Sequence, residues 1–295
     1  MNAPIPSASQ AGIAETAAAI RAEANIGKLL QEAGKLQPHD LERVLKLQQD
    51  ENLRFGEAAQ RLGLVTEADI REALSQQFEY PYVPVGEPGF GLRLAAASAP
   101  YGKEAEALRS VRAELLLRWF KDGRKTLAVG SARADEGASL LAANLAVLFA
   151  QMGQRVLLID ADMRTARQQD IFTLDNGMGL SDILAGRVPS VQVRTVKPFQ
   201  TLSILPAGSP PPNPAELLAR PAFGALLAGL ESSYDVILVD TTPSQIAADF
   251  QLVAARVGGM LIATRRNVGR LSPLVELKDK IVMTGAQIVG AVVLD

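Results

Sequence analysis

The chain has 295 residues, 48% of them hydrophobic, so it can bury a large core and is long enough for more than one domain. A formal net charge of −2 excludes a bulk attraction to nucleic acid or anionic lipid, and no stretch reaches the roughly 18 apolar residues that span a bilayer, so we expect a cytoplasmic protein. The absence of cysteine excludes disulfides and thiolate metal sites, and the single histidine, His39, cannot form a zinc site alone.

The N-terminal part of the chain divides into a tail and a repeated segment. Residues 1–24 are rich in Ala, Ser and Pro and predict a flexible tail without the features of a signal peptide. Residues 25–84 contain one pattern twice, which predicts two helical units that share a core. Each copy predicts a helix that ends at Gly34 or Gly63 and a second helix that begins near Pro38 or Thr66. The paired positions are Gly27/Gly56, Gly34/Gly63, Leu36/Val65, Leu41/Ile70, Leu45/Leu74 and Gln48/Gln77.

The two copies of the repeat contain the segments NIGKLLQEAG (residues 25–34) and RFGEAAQRLG (residues 54–63). They resemble the paired motifs of the MshEN-like helical domain of type II secretion and type IV pilus assembly ATPases. Some members of that family bind cyclic di-GMP, with an arginine able to contact a phosphate or a guanine edge. The resemblance implies a candidate site at Gly27, Gly34, Arg54, Gly56 and Gly63, although Asn25 stands where the first copy would have arginine. The alternative is a protein-docking module whose glycines end helices.

The rest of the chain predicts an α/β domain. Residues 85–100 contain repeated Pro and Gly and predict a linker, and residues 101–295 form the second domain. Apolar segments alternate there with helical patterns, which indicates a mostly parallel sheet with helices on both faces. The strand candidates are Thr126–Gly130, Val156–Asp160, Leu202–Pro206, Val236–Asp240, Met260–Thr264 and Val289–Leu294.

The segment from Thr126 to about Gln154 predicts a strand, a loop and a helix in the order of a phosphate-binding P-loop. In such a unit, backbone N–H groups and the helix N-terminus surround the phosphates, and a serine hydroxyl contacts Mg²⁺. The corresponding positions are Ala132, Arg133, Ala134, Asp135, Glu136, Gly137, Ala138 and Ser139. The first glycine of the pattern is missing, and Ala138 stands where the pattern has lysine, so this match alone is weak evidence.

Two further apolar segments end in aspartates. LLIDADMR carries Asp160 and Asp162, and YDVILVDTTP carries Asp240. The carboxyl ends of buried parallel strands meet at one edge of a sheet, where α/β proteins bind ligands, so we expect these aspartates to converge on the loop. One carboxylate there can hold Mg²⁺ and another can orient an attacking hydroxyl. The alternative for each aspartate is a cap on the next helix.

With these residues in place, the second domain resembles the bacterial tyrosine kinases that regulate polysaccharide chain length and export, on the MinD/ParA-like P-loop fold. The resemblance rests on LAANLAVLFAQMGQRVLLIDADMR, NGMGLSDILAGR, LPAGSPPPNPAELLARPAF and YDVILVDTTP. It is similar to the exopolysaccharide kinase subgroup with an extra N-terminal helical domain. The resemblance implies ATP or ADP with Mg²⁺, catalytic roles for Asp160, Asp162 and Asp240, and metal contacts from Ser139, Asp160 and Asp240.

The same resemblance implies an assembly. Glu106, Arg109 and Arg112 follow the E-x-x-R-x-x-R pattern with which the family closes rings of subunits. Their spacing places them on one arc of a helix, available for ion pairs with a neighbouring subunit, and the alternative is a solvated charged face. The expected partners are further copies of the chain and a membrane-bound chain-length determinant protein, which would hold this cytoplasmic protein at the inner membrane.

Several positions depart from the family pattern. Ala138 removes the cation that contacts the β- and γ-phosphates, Ala166 and Gln169 replace Pro and His, and Thr242 replaces Pro. The tyrosine-rich C-terminal tail of the family is absent from this sequence. Arg133 is the one basic residue in the loop, where it can partly restore the charge or remain exposed.

The sequence leaves three hypotheses for function. The first is an ATP-binding tyrosine-kinase-family protein of exopolysaccharide assembly, with catalysis weakened by Ala138. The second is a catalytically inactive pseudokinase scaffold on the same machinery. The third, of another class, is a MinD/ParA-like positioning ATPase, which the PAGSPPPNPAELL segment disfavours.

Overall fold

A computed structural model describes residues 26–77, 83, 94–175, 177–188 and 190–295. These residues fall into two compact units, one within Met1–Pro84 and one within Val85–Asp295. The predicted tail over residues 1–24 and most of the predicted linker lie outside the described residues. Among the described residues, no helix combines the length and apolarity needed to cross a membrane.

The first unit consists of short helices around a small apolar core. Residues 26–32 form helix α1, followed by α2 (Pro38–Glu51), α3 (Phe55–Arg61) and α4 (Glu67–Gln77). Each helix contributes buried side chains at helical spacing, so the core has members from both copies of the repeat. The buried residues are Ile26, Leu30, Leu36, Val44, Phe55, Ala58, Ala59, Val65 and Ala73.

The repeat recurs in three dimensions. A Cβ on Gly27 would lie 3.1 Å from Leu41, and a Cβ on Gly56 would lie 3.2 Å from Ile70, so both glycines permit close helix packing. Gly34 and Gly63 follow α1 and α3 with φ of 70° and 66°, the left-handed conformation that ends many helices. The cap of the next helix is repeated as well: the N–H groups of Gln37 and Thr66 donate to Asp40 and Asp69.

The second unit is built on a seven-stranded sheet. Its strands are β1 (Thr126–Ser131), β2 (Val156–Asp160), β3 (Arg194–Thr195), β4 (Leu202–Leu205), β5 (Val236–Asp240), β6 (Gly259–Arg265) and β7 (Gln287–Leu294). Its helices are α5 (Ala95–Ser98), α6 (Lys103–Arg118), α7 (Ala138–Ala150), α8 (Gln168–Ile171), α9 (Leu180–Leu184), α10 (Pro214–Ala219), α11 (Pro221–Leu230), α12 (Asp249–Val257) and α13 (Leu271–Met283).

The strand order is β3-β4-β2-β5-β1-β6-β7, and every pair is parallel except β3 with β4. The central strands β1, β2 and β5 are buried along their whole length, as their continuous apolar runs predict. Helices α9 to α13 share an apolar cluster with one face of the sheet, whereas α7 packs over β1, β2 and β5. The predicted mostly parallel α/β sheet with helices on both faces is therefore confirmed; the two-residue antiparallel strand β3 was not anticipated.

The last residues of the predicted linker belong to the second unit. Leu94, Ala95, Ala96 and Ala97 are buried, and α5 packs against α6 and α7. Asn144 of α7 accepts a hydrogen bond from the Ala96 N–H at 2.9 Å, and Gln151 donates to the Ala96 carbonyl oxygen at 2.9 Å. These small apolar residues pack because polar side chains of α7 satisfy their backbone groups, which composition alone does not predict.

Candidate functional site

The candidate phosphate loop connects the central strand β1 to α7. Ala134–Glu136 form a short 3-10 turn, and Gly137 adopts φ of 83° immediately before α7 begins at Ala138. The left-handed glycine turns the chain so that the helix starts directly above the end of β1. The N-terminal amides of this long helix carry the partial positive charge to which phosphates bind.

Glu136 occupies part of the cradle. Its side chain is fully buried, and its Oε2 accepts hydrogen bonds from the N–H groups of Ala132 and Arg133, both at 2.9 Å. The Thr264 hydroxyl donates to Oε1 at 3.1 Å. Two amides that the sequence assigns to a phosphate are thus bonded to the loop's own carboxylate. Sequence reasoning missed this contact because an acid in a polar loop has no pattern that distinguishes it from a solvated one.

Asp160 and Asp240 lie side by side at the ends of β2 and β5, where they are paired in register. Both side chains are fully buried. The Ser139 hydroxyl hydrogen-bonds Asp240, and the Gln168 amide nitrogen donates to Asp240 Oδ2 at 2.7 Å. Asp240 Oδ1 is buried without a hydrogen-bond partner among the described residues. This oxygen is the one open acceptor that we find on the three aspartates.

Gln168 connects the loop to Asp240. Besides Asp240, its amide nitrogen donates to the Ser139 carbonyl oxygen at 3.0 Å, so one group holds the first turn of α7 to the end of β5. Its own Oε1 is buried and has no partner in the described part of the chain. No sequence pattern indicates this role, because a glutamine after a strand resembles any polar loop residue.

The two neighbouring carboxyls have shifted pKa values. Burial raises the pKa of Asp160 to about 7, against the opposing effect of the hydrogen bond from the Gln168 N–H. Burial, followed by the charge of Asp160, raises the pKa of Asp240 well above its usual range. Two buried carboxyls that repel each other hold a proton at neutral pH unless a cation neutralises them. The pair is therefore suited to bind a cation.

Asp160 and Asp162 are engaged by their own segment. Asp160 accepts from the N–H groups of Asp162, Arg167 and Gln168. Asp162 accepts from the N–H groups of Arg164 and Thr165 and from the hydroxyls of Thr165 and Thr242. The capping alternative thus describes Asp160, which accepts from the N–H groups of Arg167 and Gln168 at the start of α8, and not Asp162. The bond of Asp162 to the Thr242 hydroxyl also connects β5 to the loop after β2.

The basic residue of the loop is paired within the loop. Arg133 contacts Asp135 through Nε at 3.1 Å and Nη2 at 3.3 Å. The side chain of Asp135 is about half exposed, at 52%. Ala138, where the P-loop pattern has lysine, is buried at 5% exposure and carries no donor. Neither position directs a free cation at the helix N-terminus.

Mg²⁺ and a nucleotide are the groups that this fold implies. No group of three or more His, Cys, Asp or Glu side chains in the described residues could hold a metal ion. Mg²⁺ commonly uses one or two carboxylates together with substrate phosphates, so this finding agrees with a nucleotide-bound ion. The open Asp240 Oδ1 and the adjacent Ser139 hydroxyl fit such an ion. Asp160 accepts three backbone N–H bonds, so it has less free acceptor capacity to offer an ion.

The predicted ring motif makes bonds within the chain. Arg109 donates to Glu106 at 2.8 Å and to the Pro100 carbonyl oxygen at 2.6 Å. Arg112 donates to the Leu148 carbonyl oxygen at 2.8 Å, which fixes α6 to α7. The side chain of Glu106 is 69% exposed and that of Arg109 only 22%. Of the three residues, Glu106 is the most available to another subunit.

The candidate cyclic di-GMP residues have structural explanations. Gly27 and Gly56 lie at close helix contacts, and Gly34 and Gly63 end helices. Arg54 is exposed, and its backbone N–H donates to Glu57 at the start of α3. Asn25 lies outside the described residues. Packing and turns are sufficient reasons for these glycines, and Arg54 remains available to an anion.

No protein-family profile matches the chain. Individual proteins do: the putative tyrosine-protein kinase CapB of Staphylococcus aureus is 31% identical over 193 residues, which are 65% of this chain and 85% of CapB. The chain belongs to the bacterial tyrosine kinase family. A second bacterial tyrosine kinase, wzc of Salmonella typhi, is 32% identical over 200 residues, and the chain spans only 28% of its length.

Solved structures agree with this membership. The kinase domain of the Escherichia coli tyrosine kinase ETK matches with a TM-score of 0.67 and 28% identity, over 72% of this chain and 84% of that domain. The cell division ATPase MinD of Pyrococcus furiosus matches with a TM-score of 0.50 and 20% identity, over 58% of this chain and 71% of MinD, which shows the fold alone. The predicted P-loop NTPase fold of a bacterial tyrosine kinase is confirmed.

Proposed function

We propose that the unit within Val85–Asp295 binds ATP or ADP with Mg²⁺ at the loop before α7. The observation that carries this proposal is the buried Asp240 Oδ1, which has no partner in the described chain although the Ser139 hydroxyl hydrogen-bonds the same carboxylate. A buried acceptor without a donor is costly, and a bound cation removes that cost. The relatives named tyrosine kinases support the nucleotide as the ligand.

In this proposal, each part of the site has a distinct task. The amides at the start of α7 bind phosphate, and Ser139 and Asp240 bind Mg²⁺, which supplies charge neutralisation for phosphoryl transfer. Burial, followed by the charge of Asp160, raises the pKa of Asp240, so that this carboxyl holds a proton until a cation binds. Asp160 and Asp162 hold in place the segment that would contact the hydroxyl of a substrate tyrosine. None of these tasks requires a side chain at position 138.

The missing lysine sets the expected rate. Cationic groups on transferring phosphoryl groups are worth roughly 10³–10⁵ in rate, and Ala138 supplies none. We therefore propose a tyrosine-kinase-family protein with weakened catalysis, acting in exopolysaccharide chain length and export. Its partners would be a membrane-bound chain-length determinant protein and further copies of itself, which would keep it cytoplasmic and peripheral to the inner membrane.

Calorimetry with Mg-ADP and Mg-ATP tests the nucleotide site. We expect weak binding by the natural protein, slow turnover well below about 1 s⁻¹, and tighter binding with faster turnover for Ala138→Lys, because lysine adds a charge where the phosphates lie. Ser139→Ala is the matched control at the next residue and should weaken the Mg²⁺-dependent part of binding. Equal binding by the natural protein and Ala138→Lys would mean that the loop does not hold phosphates.

A pseudokinase scaffold is the second candidate, and Glu136 favours it. Its carboxylate already bonds the N–H groups of Ala132 and Arg133, so the empty loop is internally satisfied. A protein that binds neither nucleotide at millimolar concentration, and still assembles with a polysaccharide-machinery partner, would establish the scaffold instead of the enzyme. Turnover at ordinary kinase rates of about 1–100 s⁻¹ would exclude it.

For the helical unit we propose protein docking, with cyclic di-GMP as the alternative ligand. The packing roles of Gly27 and Gly56 support docking, since they explain the glycines without a ligand. Titration of the full chain with cyclic di-GMP separates the two. Binding that Arg54→Ala abolishes and Arg61→Ala preserves would favour the dinucleotide. If cyclic di-GMP does not bind at high micromolar concentration, protein docking stays the proposed role of the helical unit.

A further inference from the structure

An arginine outside the loop lies against it. Arg265 is the last residue of β6, the strand that pairs with β1 in parallel register. Its Nη2 lies 3.6 Å from the position that a Cβ on Gly137 would occupy. Gly137 is the residue before α7, so the guanidinium reaches the loop at the start of the helix. The charge of Arg265 also contributes to the lowered pKa of Asp135, after the hydrogen bond from Arg133.

The side chain of Arg265 has an unsatisfied donor. Its Nε is buried and has no hydrogen-bond partner among the described residues. Arginine cannot escape this cost by losing its proton, because a guanidinium stays protonated in proteins. A buried cationic donor without an acceptor indicates that an acceptor belongs there. An anion at the start of α7 would supply it.

Space is present next to this side chain. A cavity of about 710 Å³ is bordered by Arg265, by Leu140 and Leu294, and by the charged residues Lys103, Glu104 and Asp295. The cavity reaches α7 at Leu140 and is not lined by Gly137 or Ala138, so it gives Arg265 room to move beside the helix start. The neighbouring Arg266 differs in each respect, because its side chain is 67% exposed and is paired with Asp295 at 3.0 Å.

We propose that Arg265 supplies from β6 the positive charge that the loop lacks at Ala138, by contacting the phosphates of the bound nucleotide. This inference rests on the nucleotide site proposed above. Arg133 is committed to Asp135, and Ala138 has no donor, so Arg265 is the cation that the geometry assigns to this end of α7. Its planar guanidinium forms paired bonds to phosphate oxygens.

The test compares variants of the full-length protein by calorimetry with Mg-ADP. Arg265→Met keeps the aliphatic stem and should weaken binding about 10- to 100-fold, the loss of a hydrogen bond to a charged group. Arg265→Lys should recover part of that loss. Arg266→Met, the matched control, should change binding a few-fold at most. The thermal midpoint of Arg265→Met should stay unchanged or rise, because a buried donor without a partner is removed.

A double variant excludes a merely structural role. If Arg265 and a lysine at position 138 serve the same phosphates, then Arg265→Met should cost less affinity in the Ala138→Lys background than in the natural protein. Equal affinities of the natural protein and Arg265→Met would overturn the role of Arg265 and leave the nucleotide site standing. An absence of Mg-ADP binding by both the natural protein and Ala138→Lys would overturn the site and this inference together.

Discussion

Three aspartates that look equivalent in the sequence have different surroundings. Asp162 is saturated by the backbone and hydroxyl donors of its own turn and by Thr242. Asp160 is held by backbone N–H groups. Only Asp240 keeps an oxygen without a partner in the described chain. The open oxygen is therefore the reason why we propose Asp240 as the metal ligand, whereas the position at a strand end does not distinguish the three.

At the scale of single residues, the contacts of the Gln168 amide lead to a prediction about stability. Gln168→Leu removes the donor shared by the buried Asp240 Oδ2 and the partly buried Ser139 carbonyl oxygen, so each acceptor loses one hydrogen bond. We expect a loss of about 1–3 kcal/mol in the free energy of unfolding, measured by chemical denaturation. Gln169→Leu, at the next and less buried residue, is the control.

Adding Mg-ADP to the unfolding measurement tests whether Asp240 binds the ion. If Asp240 binds the ion, saturating Mg-ADP should recover part of the stability that Gln168→Leu loses, because the ion satisfies the same carboxylate. A variant with unchanged stability would show that the Gln168 bonds contribute nothing. Equal destabilisation by Gln169→Leu would point to a general effect on this segment.

At the scale of elements, the helical unit repeats both its packing and its caps. Asp69 caps α4 through Thr66 and also bonds Lys35, from the turn after α1, at 2.8 Å. The hydrogen bond from Lys35, followed by those from Thr66, lowers the pKa of Asp69 to about 2. Asp40 caps α2 at the equivalent position of the first copy. One carboxylate thus joins two elements of the repeat.

This pair gives a pH dependence with a definite sign. Because the folded pKa of Asp69 is lowered from 3.8 to about 2, its contribution to stability is present above pH 4 and is lost as the pH falls through 2. We expect the urea midpoint of α4, followed by NMR of its amides, to fall across this window. Asp69→Asn should lower the midpoint at pH 6 and flatten the dependence.

Lys35→Met provides the control for the same experiment. It removes the ion pair and keeps the bonds from Thr66, so the pH dependence should shrink without vanishing. A natural protein whose α4 amides show the same midpoint at pH 5 and pH 2 would contradict the role given to Asp69.

At the scale of the whole molecule, a test of the predicted ring motif has to separate assembly from folding. Substituting Arg109 or Arg112 would break bonds to the carbonyl oxygens of Pro100 and Leu148, so a loss of assembly could reflect a disturbed fold. Glu106 is mostly exposed and separates the two effects. It does pair with Arg109 on the same helix, a contact of small expected value.

We therefore predict that Glu106→Ala lowers the oligomer mass measured by light scattering and leaves the thermal midpoint nearly unchanged. Glu104→Ala, at another exposed acid of α6, should leave the mass unchanged. If the natural protein and Glu106→Ala have the same mass over a concentration series, the arc of Glu106, Arg109 and Arg112 is an ordinary charged surface.

The sequence by itself determined the α/β sheet, its central strands and the family. Runs such as Val156–Asp160 and Val236–Asp240 are apolar throughout, and only a parallel sheet covered on both faces buries such strands. The repeat at Gly34 and Gly63 was equally visible, because left-handed helix ends select glycine. Both signals are local, so each can be recognised within one segment.

Only the tertiary structure decided which polar groups meet. Gln168 contacts Asp240 across 72 positions of sequence, and Thr264 contacts Glu136 across 128. The approach of Arg265 to Gly137 is of the same kind. Hydrogen bonds form between groups that the fold brings within about 3 Å, and spacing along one segment carries no information about them. The sheet could therefore be predicted from the sequence, whereas the open oxygen of Asp240 and the approach of Arg265 to the loop could not.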